Sequence, residues 1–308
     1  MSNYVIEALN ITKQFGGFKA IDDITLRVEK GNIYGFLGPN GCGKSTTIRV
    51  LTGLLSPSAG SVKVLGYRIP EQSEQLRLNI GYMTQKFSLY DDLTVIENLR
   101  FMGKIYGLTG AMLITRCKDQ MQTYGLDQLQ HQMVKGMSGG QKQRLSLACA
   151  TIHQPSLLFL DEPTSAVDPE NRRDFWEKLF DLSENGTTIL VTTHYMDEAE
   201  RCHKLAIMEA GQMRADGSPD ELMAKMGVNI VEIKTAGLRQ LKATLLANEH
   251  IRSAAQLGVR LRVLVYNHIA NPIDWLKATF PALQNAELTQ ARPTLEDVFV
   301  SVTGASRQ

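Results

Sequence analysis

Between the apolar run Ile33-Tyr34-Gly35-Phe36-Leu37 and the segment Thr47-Ile48-Arg49-Val50-Leu51 stands Gly38-Pro39-Asn40-Gly41-Cys42-Gly43-Lys44-Ser45-Thr46. The order reads as strand, glycine loop, helix, which commits this part of the chain to an α/β fold. Three glycines let backbone N–H groups turn inward onto phosphate oxygens, and the helix start adds the positive end of its dipole. Lys44 can reach the β and γ phosphates, and the Ser45 hydroxyl can ligate Mg²⁺. A spacing of Gly, four residues, Gly-Lys-Ser arises by chance as well. Here the strand before it and the helix after it supply the context that a Walker A loop demands.

A second strand points the same way. Leu157-Leu158-Phe159-Leu160 feeds directly into Asp161-Glu162-Pro163, a buried strand whose carboxylates emerge at its C-terminal end, as in a Walker B strand. Residues 187–193 form another buried strand with His194 at its end, where open α/β sheets bind ligands. The other five histidines have no such placement. Met137-Ser138-Gly139-Gly140-Gln141 precedes a helix over 142–152 that Pro155 ends, so small residues put backbone donors at a second helix start. Asp168-Pro169-Glu170 caps a further helix, whose apolar face includes Phe175, Leu179 and Leu182.

The rest of the chain surrounds these motifs. Residues 5–12 and 20–28 alternate apolar and polar side chains like half-exposed strands, joined by a loop holding Phe15-Gly16-Gly17. Residues 61–66 read as a strand, and 80–83 as a short buried one leading to Gln85. From Lys86 to about Lys135 the pattern is helical, with Thr94 as a cap and Glu97 three residues on, so this is a helical insertion between two strands of a sheet. Beyond Gly217 the order reads β, α, β, β, α, β, α, a small ferredoxin-like domain with a closing helix.

Charge and cysteine content narrow the function classes. With 33 basic and 32 acidic residues the net charge is +1, which gives no reason to expect nucleic acid as a partner. The cysteines at 42, 117, 149 and 202 lack metal-type spacing and read as free thiols in a reducing compartment. Cys42, close to Lys44 and a helix start, is expected to favour thiolate and to be shielded by bound nucleotide. No basic leader precedes an apolar run, and no window is long and apolar enough to span a bilayer. A soluble chain is expected, with any membrane role exercised through a partner.

With the glycine loop, Gln85, Ser138-Gly139-Gly140-Gln141, Leu160-Asp161-Glu162-Pro163 and Thr193-His194 in this order, residues 4–220 resemble the ATP-binding subunit of ABC transporters. The Ser-Gly-Gly-Gln element discriminates, because P-loop kinases and G proteins lack it. The resemblance implies a P-loop NTPase core with an antiparallel β subdomain and a helical subdomain over about 86–135. With the accessory domain this divides the chain into residues 1–220 and 221–308.

By the same resemblance, ATP is bound by Gly38 through Thr46, by Phe15 stacking on adenine, and by Ser138, Gly139, Gly140, Gln141 and Asp168. Asp161, Ser45 and Gln85 hold Mg²⁺, Gln85 senses the γ phosphate, Glu162 polarises the attacking water, and His194 and Lys44 contact the γ phosphate. Asp168, in Ser165-Ala166-Val167-Asp168, looks like the loop that crosses to a second ATPase subunit. A homodimer or heterodimer with ATP at its interface is implied, docked on integral membrane permease subunits at the cytoplasmic face of the membrane. The run Phe87-Ser88-Leu89-Tyr90-Asp91-Asp92-Leu93 is expected to form the docking groove.

Met137 in place of Leu and Cys42 in place of Ala or Ser are the departures from the family's pattern. Residues 195–200 and 293–299 resemble the subgroup serving ABC-2 type exporters, often of drugs, and read as carrying no chemistry. Alternatives are another ABC system, for lipid or polysaccharide export or for import, or a soluble ABC ATPase outside transport. A DNA-repair ATPase would need a long coiled coil between Gln85 and Ser138, and a translation factor a second cassette. About fifty residues and a single cassette fit neither.

Overall fold

A computed structural model describes residues 4–85, 88–165 and 167–303. The chain divides into two compact units, Met1–Asp216 and Gly217–Gln308. The first opens with β1 (Tyr4–Phe15), β2 (Phe18–Glu29), β3 (Ile33–Leu37) and α1 (Lys44–Leu51). It continues through β4 (Ala59–Val64), β5 (Tyr67–Ile69), α2 (Ser73–Arg77) and β6 (Ile80–Met83) to the insertion helices α3 (Val95–Ile105) and α4 (Gly110–Thr123). Then follow α5 (Gly139–Thr151), β7 (Leu157–Asp161), α6 (Pro169–Glu184), β8 (Thr188–Thr193), α7 (Met196–Ala199), β9 (Lys204–Glu209) and β10 (Gln212–Gly217).

Six strands make the central sheet in the order β10-β9-β3-β8-β7-β6. β3 runs parallel to β8 and β9, and β7 runs parallel to β6 and β8. Every residue of β3, β7 and β8 is buried, as expected of parallel strands covered on both faces. Their register decides where the chemistry lies. Leu37 pairs with Thr193 and Asp161 with Thr192, so the glycine loop, the Asp161–Glu162 pair and His194 all leave the sheet at one edge.

One face of this sheet packs with α5, α6 and the insertion helices, through Leu99, Leu145, Leu158, Trp176 and Val191. The other shares a core with α1 and an antiparallel sheet of order β2-β1-β4-β5, through Ile6, Ile24, Phe36, Ile48 and Val64. The strands β1 and β2 extend further than their alternation suggests. They reach Phe15 and Phe18, which pair across a tight Gly16-Gly17 turn, so Phe15 ends a strand and is not part of a loop.

The insertion begins as its cap residues require. The Thr94 hydroxyl accepts the Glu97 N–H while the Glu97 carboxylate accepts the Thr94 N–H, a reciprocal capping box. Asn98, fully buried, accepts the Tyr90 N–H and donates to the Tyr90 carbonyl, which fixes the stretch before α3. Lys86, Phe87 and Ala166 lie outside the described residues.

The second unit comprises α8 (Pro219–Ala224), β11 (Val228–Lys234), α9 (Leu238–Leu246), β12 (Ile251–Leu257), β13 (Arg260–Tyr266), α10 (Pro272–Thr279), β14 (Glu287–Ala291) and α11 (Leu295–Thr303). Its antiparallel sheet has the order β12-β13-β11-β14, so β13 lies between the two strands that α9 connects, the split arrangement of a ferredoxin-like unit. One cluster, with Val231, Val263, Leu245 and Leu276, packs α9 and α10 on the sheet. Toward α11, Arg262 donates to both Asp297 oxygens (2.9 and 2.6 Å), to Glu232 and to the Arg292 carbonyl.

Candidate functional site

The glycine loop is held from outside as well as by its own turns. Gly43 has φ 107°, and a Cβ there would sit 2.4 Å from the Ala20 carbonyl oxygen of β2. At Gly38 a Cβ would meet the Met208 carbonyl oxygen of β9 at 2.4 Å. The Gly211 N–H donates to the Cys42 carbonyl (3.0 Å), and the Asp22 N–H donates to Gly211 (2.8 Å), tying the loop to the β9–β10 turn and to β2. Pro39, Asn40 and Gly41 remain exposed, while Ser45 and Thr46 are half-buried.

Lys44 opens α1 and folds back over the loop. Its Nζ donates to the carbonyls of Gly38 (2.7 Å) and Pro39 (3.2 Å) and lies 3.3 Å from Glu162 Oε1. Glu162 Oε2 accepts from Gln85 Nε2 at 3.0 Å and lies 3.5 Å from His194 Nδ1, which has no hydrogen bond of its own. Glu162 is held with φ 45°, a left-handed conformation costly for a residue with a Cβ. Its N–H is fixed by the Thr192 hydroxyl (2.8 Å), so strand β8 determines where this carboxylate stands. Three side chains from three separate segments thus converge on one buried carboxylate.

Beside it, Asp161 Oδ1 accepts the hydroxyls of Ser45 (2.9 Å) and Thr192 (2.8 Å). Hydroxyl and carboxylate oxygens of this kind suit a hard divalent cation that retains waters and phosphate oxygens as its other ligands. Gln85, read from the sequence as a third ligand, is bonded to Glu162 and not to this pair.

The Cys42 thiol departs from expectation. It is 3% exposed, and burial pushes its pKa up despite the nearby Lys44 charge, so the thiol form is favoured where thiolate was anticipated. Cys117, Cys149 and Cys202 are also buried and free.

The remaining expected residues make no hydrogen bond to Lys44, Asp161 or Glu162 among the described residues. Ser138 caps α5 through a capping box with Gln141, and a Cβ on Gly140 would meet Asn171 of α6 at 2.7 Å. Asp168 caps α6, and its bonds to Asn171 hold its carboxyl below the usual carboxylate range. Phe15 is half-exposed with the Lys13 ammonium 5.2 Å from its ring centre. Among the described residues no hydrogen bond or ion pair joins 138–141 to 38–46. Gly139 does line one pocket with Gln85 and Pro163.

Comparison with known proteins decides the family. The ABC transporter family model matches residues 21–165. The chain is 47% identical over 221 residues to the probable multidrug ABC transporter ATP-binding protein YbhF of Escherichia coli, an alignment spanning 72% of this chain and 38% of YbhF. It is 37% identical over 305 residues to the Nod factor export ATP-binding protein I of Cupriavidus pinatubonensis, covering 97% of this chain and 91% of that protein. The chain belongs to the ABC transporter family. Among solved structures, an ATP-binding subunit of an ABC transporter superposes with a TM-score of 0.67 at 29% identity over 72% of this chain and 93% of its own. The cassette MJ0796, solved as a dimer in a post-hydrolysis state with ADP and Pi, gives 0.64 at 25% identity, over 69% and 98%.

Several residues of the cassette's site were not legible in advance. Thr192 joins Asp161 to the backbone of Glu162, and its signal was a hydroxyl next to Thr193-His194 at the end of an apolar strand. The β9–β10 turn, which backs the glycine loop, passed unread although residues 204–209 are mostly apolar. No described helix is long and apolar enough to cross a membrane.

Proposed function

We propose that this cassette binds and hydrolyses ATP to power export of a substrate through separate membrane subunits. The convergence of Lys44, Gln85 and His194 on Glu162, beside the Ser45–Asp161 pair, carries the ATPase reading. In-line transfer of a γ phosphate to water needs a positive cradle and a base over the attacking oxygen. Lys44 and the loop N–H groups supply the first, and Glu162 the second. Ser45 and Asp161 would hold Mg²⁺, which when bound neutralises phosphate charge.

The ATP site would be completed by a second subunit, homologous or identical. Ser138–Gln141 and Asp168 make no hydrogen bond or ion pair to the glycine loop of their own chain among the described residues, and a head-to-tail pair would bring them to the partner's nucleotide. That the MJ0796 cassette is dimeric with ADP and Pi bound supports pairing of two such cassettes. Phe15, exposed at the tip of the hairpin that backs the loop, would stack on adenine. Peripheral attachment at the cytoplasmic face follows if docking is to membrane permeases. Export, of drugs in particular, is favoured by the names of the relatives, multidrug and Nod factor systems.

The test is ATP turnover by the purified chain, alone and with the membrane proteins encoded beside it. Lys44→Ala should abolish nucleotide binding, and loss of Glu162 should abolish turnover but not binding. A chain that binds no ATP, or turns it over unchanged without Glu162, would overturn the assignment. Failure to co-purify with any membrane protein would overturn the transport part alone.

A further inference from the structure

Glu198 is a carboxylate with 1% exposure in the first turn after His194, within a stretch whose sequence suggested no chemistry. Its Oε2 accepts the Thr193 hydroxyl at 2.6 Å, and its Oε1 accepts the hydroxyl of Thr164, two residues beyond Glu162. Arg172 Nε of α6 lies 3.5 Å from Oε1, and the same guanidinium stands 4.0 Å from the centre of the Tyr195 ring, which lies 4.1 Å from that of His194.

An ionised carboxylate only accepts, so both hydroxyls must point their protons at it. That fixes the Thr193 oxygen's lone pairs, one of which takes the Tyr195 N–H at 3.0 Å. The bonds of Thr193 thus fix the backbone on both sides of His194. Thr164, on the other oxygen, belongs to the segment running from Glu162 toward Asp168. Burying a carboxylate is costly unless hydrogen bonds and a cation compensate it, and an apolar residue would pack this spot without that cost.

We propose that Glu198 is a positioning residue, locking the His194 loop to the segment after Glu162 so that both approach the nucleotide as one body. The inference rests on the reading of His194 as a contact of the γ phosphate. Glu198→Gln replaces one accepting oxygen by an amide N–H donor, so either Thr193 or Thr164 must turn its hydroxyl proton away.

In the full chain, Glu198→Gln should lower kcat about 10-fold or more while leaving KM for ATP within about two-fold, because the loss is of alignment and not of binding. Thr193→Val should do the same, and Thr193→Ser should restore turnover. A double-mutant cycle locates the effect: in a His194→Ala background Glu198→Gln should add less than about two-fold. If Glu198→Gln does not fold, Thr193→Val and Thr164→Val carry the same comparison. Wild-type kcat in Glu198→Gln or Thr193→Val, or losses that multiply in the His194→Ala background, overturn the positioning role. Wild-type turnover in His194→Ala would instead remove the site reading beneath it.

Discussion

Glu162 Oε1 stands 3.3 Å from Lys44 Nζ, with both side chains almost wholly buried. The residue proposed as base thus pairs with the residue proposed to receive phosphate. An incoming γ phosphate must therefore displace Glu162 from Lys44, and in doing so frees the carboxylate to face water. Glu162→Gln should reduce turnover about 10²- to 10⁴-fold, as expected for a missing general base. The same variant should bind ATP at least as tightly as wild type, since an anion opposing the phosphates is gone, and should accumulate as a dimer. Equilibrium nucleotide binding and size-exclusion chromatography with ATP check this, and weaker binding would contradict the Lys44–Glu162 relationship.

Gly43→Ala tests the loop itself. The substituted residue would hold φ 107° at a cost of about 1–3 kcal/mol, and its methyl would collide with the Ala20 carbonyl. Strand β2 cannot yield without disturbing its pairing to β1. A lower melting temperature together with lost ATP binding is expected. Gly41→Ala, where φ is 80° but nothing lies within 4 Å of a Cβ, should retain more of both.

Cysteine labelling follows from burial. All four thiols are enclosed, and Cys42 has its pKa raised by desolvation, so at neutral pH it holds less thiolate than a free cysteine. Native protein should react slowly with a maleimide, the rate rising above about pH 9, whereas denatured protein should release all four thiols at once. Rapid labelling of Cys42 at pH 7 would contradict its placement.

What the sequence revealed and what it hid have a common physical cause. Gly38 to Thr46, Asp161, Glu162 and His194 were legible because a phosphate cradle and a strand-end carboxylate need fixed residue types at fixed local spacing. The capping residues Thr94 and Ser138 were legible for the same reason. Thr192, Thr164 and Glu198 act through contacts between residues some thirty positions apart, and only the register of β7 on β8 brings them together. The thiol state of Cys42 was misjudged because proximity in sequence shows the Lys44 charge and not the burial. Arg262 and Asp297, 35 residues apart, could not be paired before β13 and α11 were placed.

That pair gives a pH prediction for the second unit. The Arg262 guanidinium and hydrogen bonds from Thr294 hold the Asp297 carboxyl below its ordinary value of 3.8 against the opposing effect of burial. Arg260 and Arg262 likewise hold Glu232 below 4.5. Folded values lowered in this way mean that the native state binds fewer protons than the unfolded state near these pH values. The stabilisation is therefore complete above about pH 5 and is lost as pH falls through the depressed values. Asp297→Asn should cost about 3 kcal/mol, the low end for breaking a buried pair, because Glu232 still compensates Arg262. Hydrogen exchange of β13 amides in the full chain, measured at pH 7 and near pH 3.5, should show the variant losing protection at pH 7 and changing less than wild type on acidification.

Of the described residues in the run 87–93 expected to dock, Tyr90 is the one that offers an exposed ring. Phe87 is outside the described residues, and Leu89 is partly buried against the core of the insertion and so serves packing. Tyr90 is 53% exposed and meets Phe101, 39% exposed, edge-on with ring centres 4.9 Å apart. Asn98 holds the Tyr90 backbone by two hydrogen bonds, so the two rings form a fixed apolar surface directly beyond Gln85. Such a surface suits a short helix of a membrane subunit, and motion of Gln85 on ATP binding would be passed to it. Tyr90→Ala with Phe101→Ala should leave the melting temperature and ATP affinity of the isolated chain near wild type, because neither side chain is enclosed. Co-purification with the membrane subunits should fall about 10-fold or more, as for loss of aromatic anchors at an interface. Full partner binding and export in the double variant would sink the docking surface, while leaving the ATPase assignment untouched.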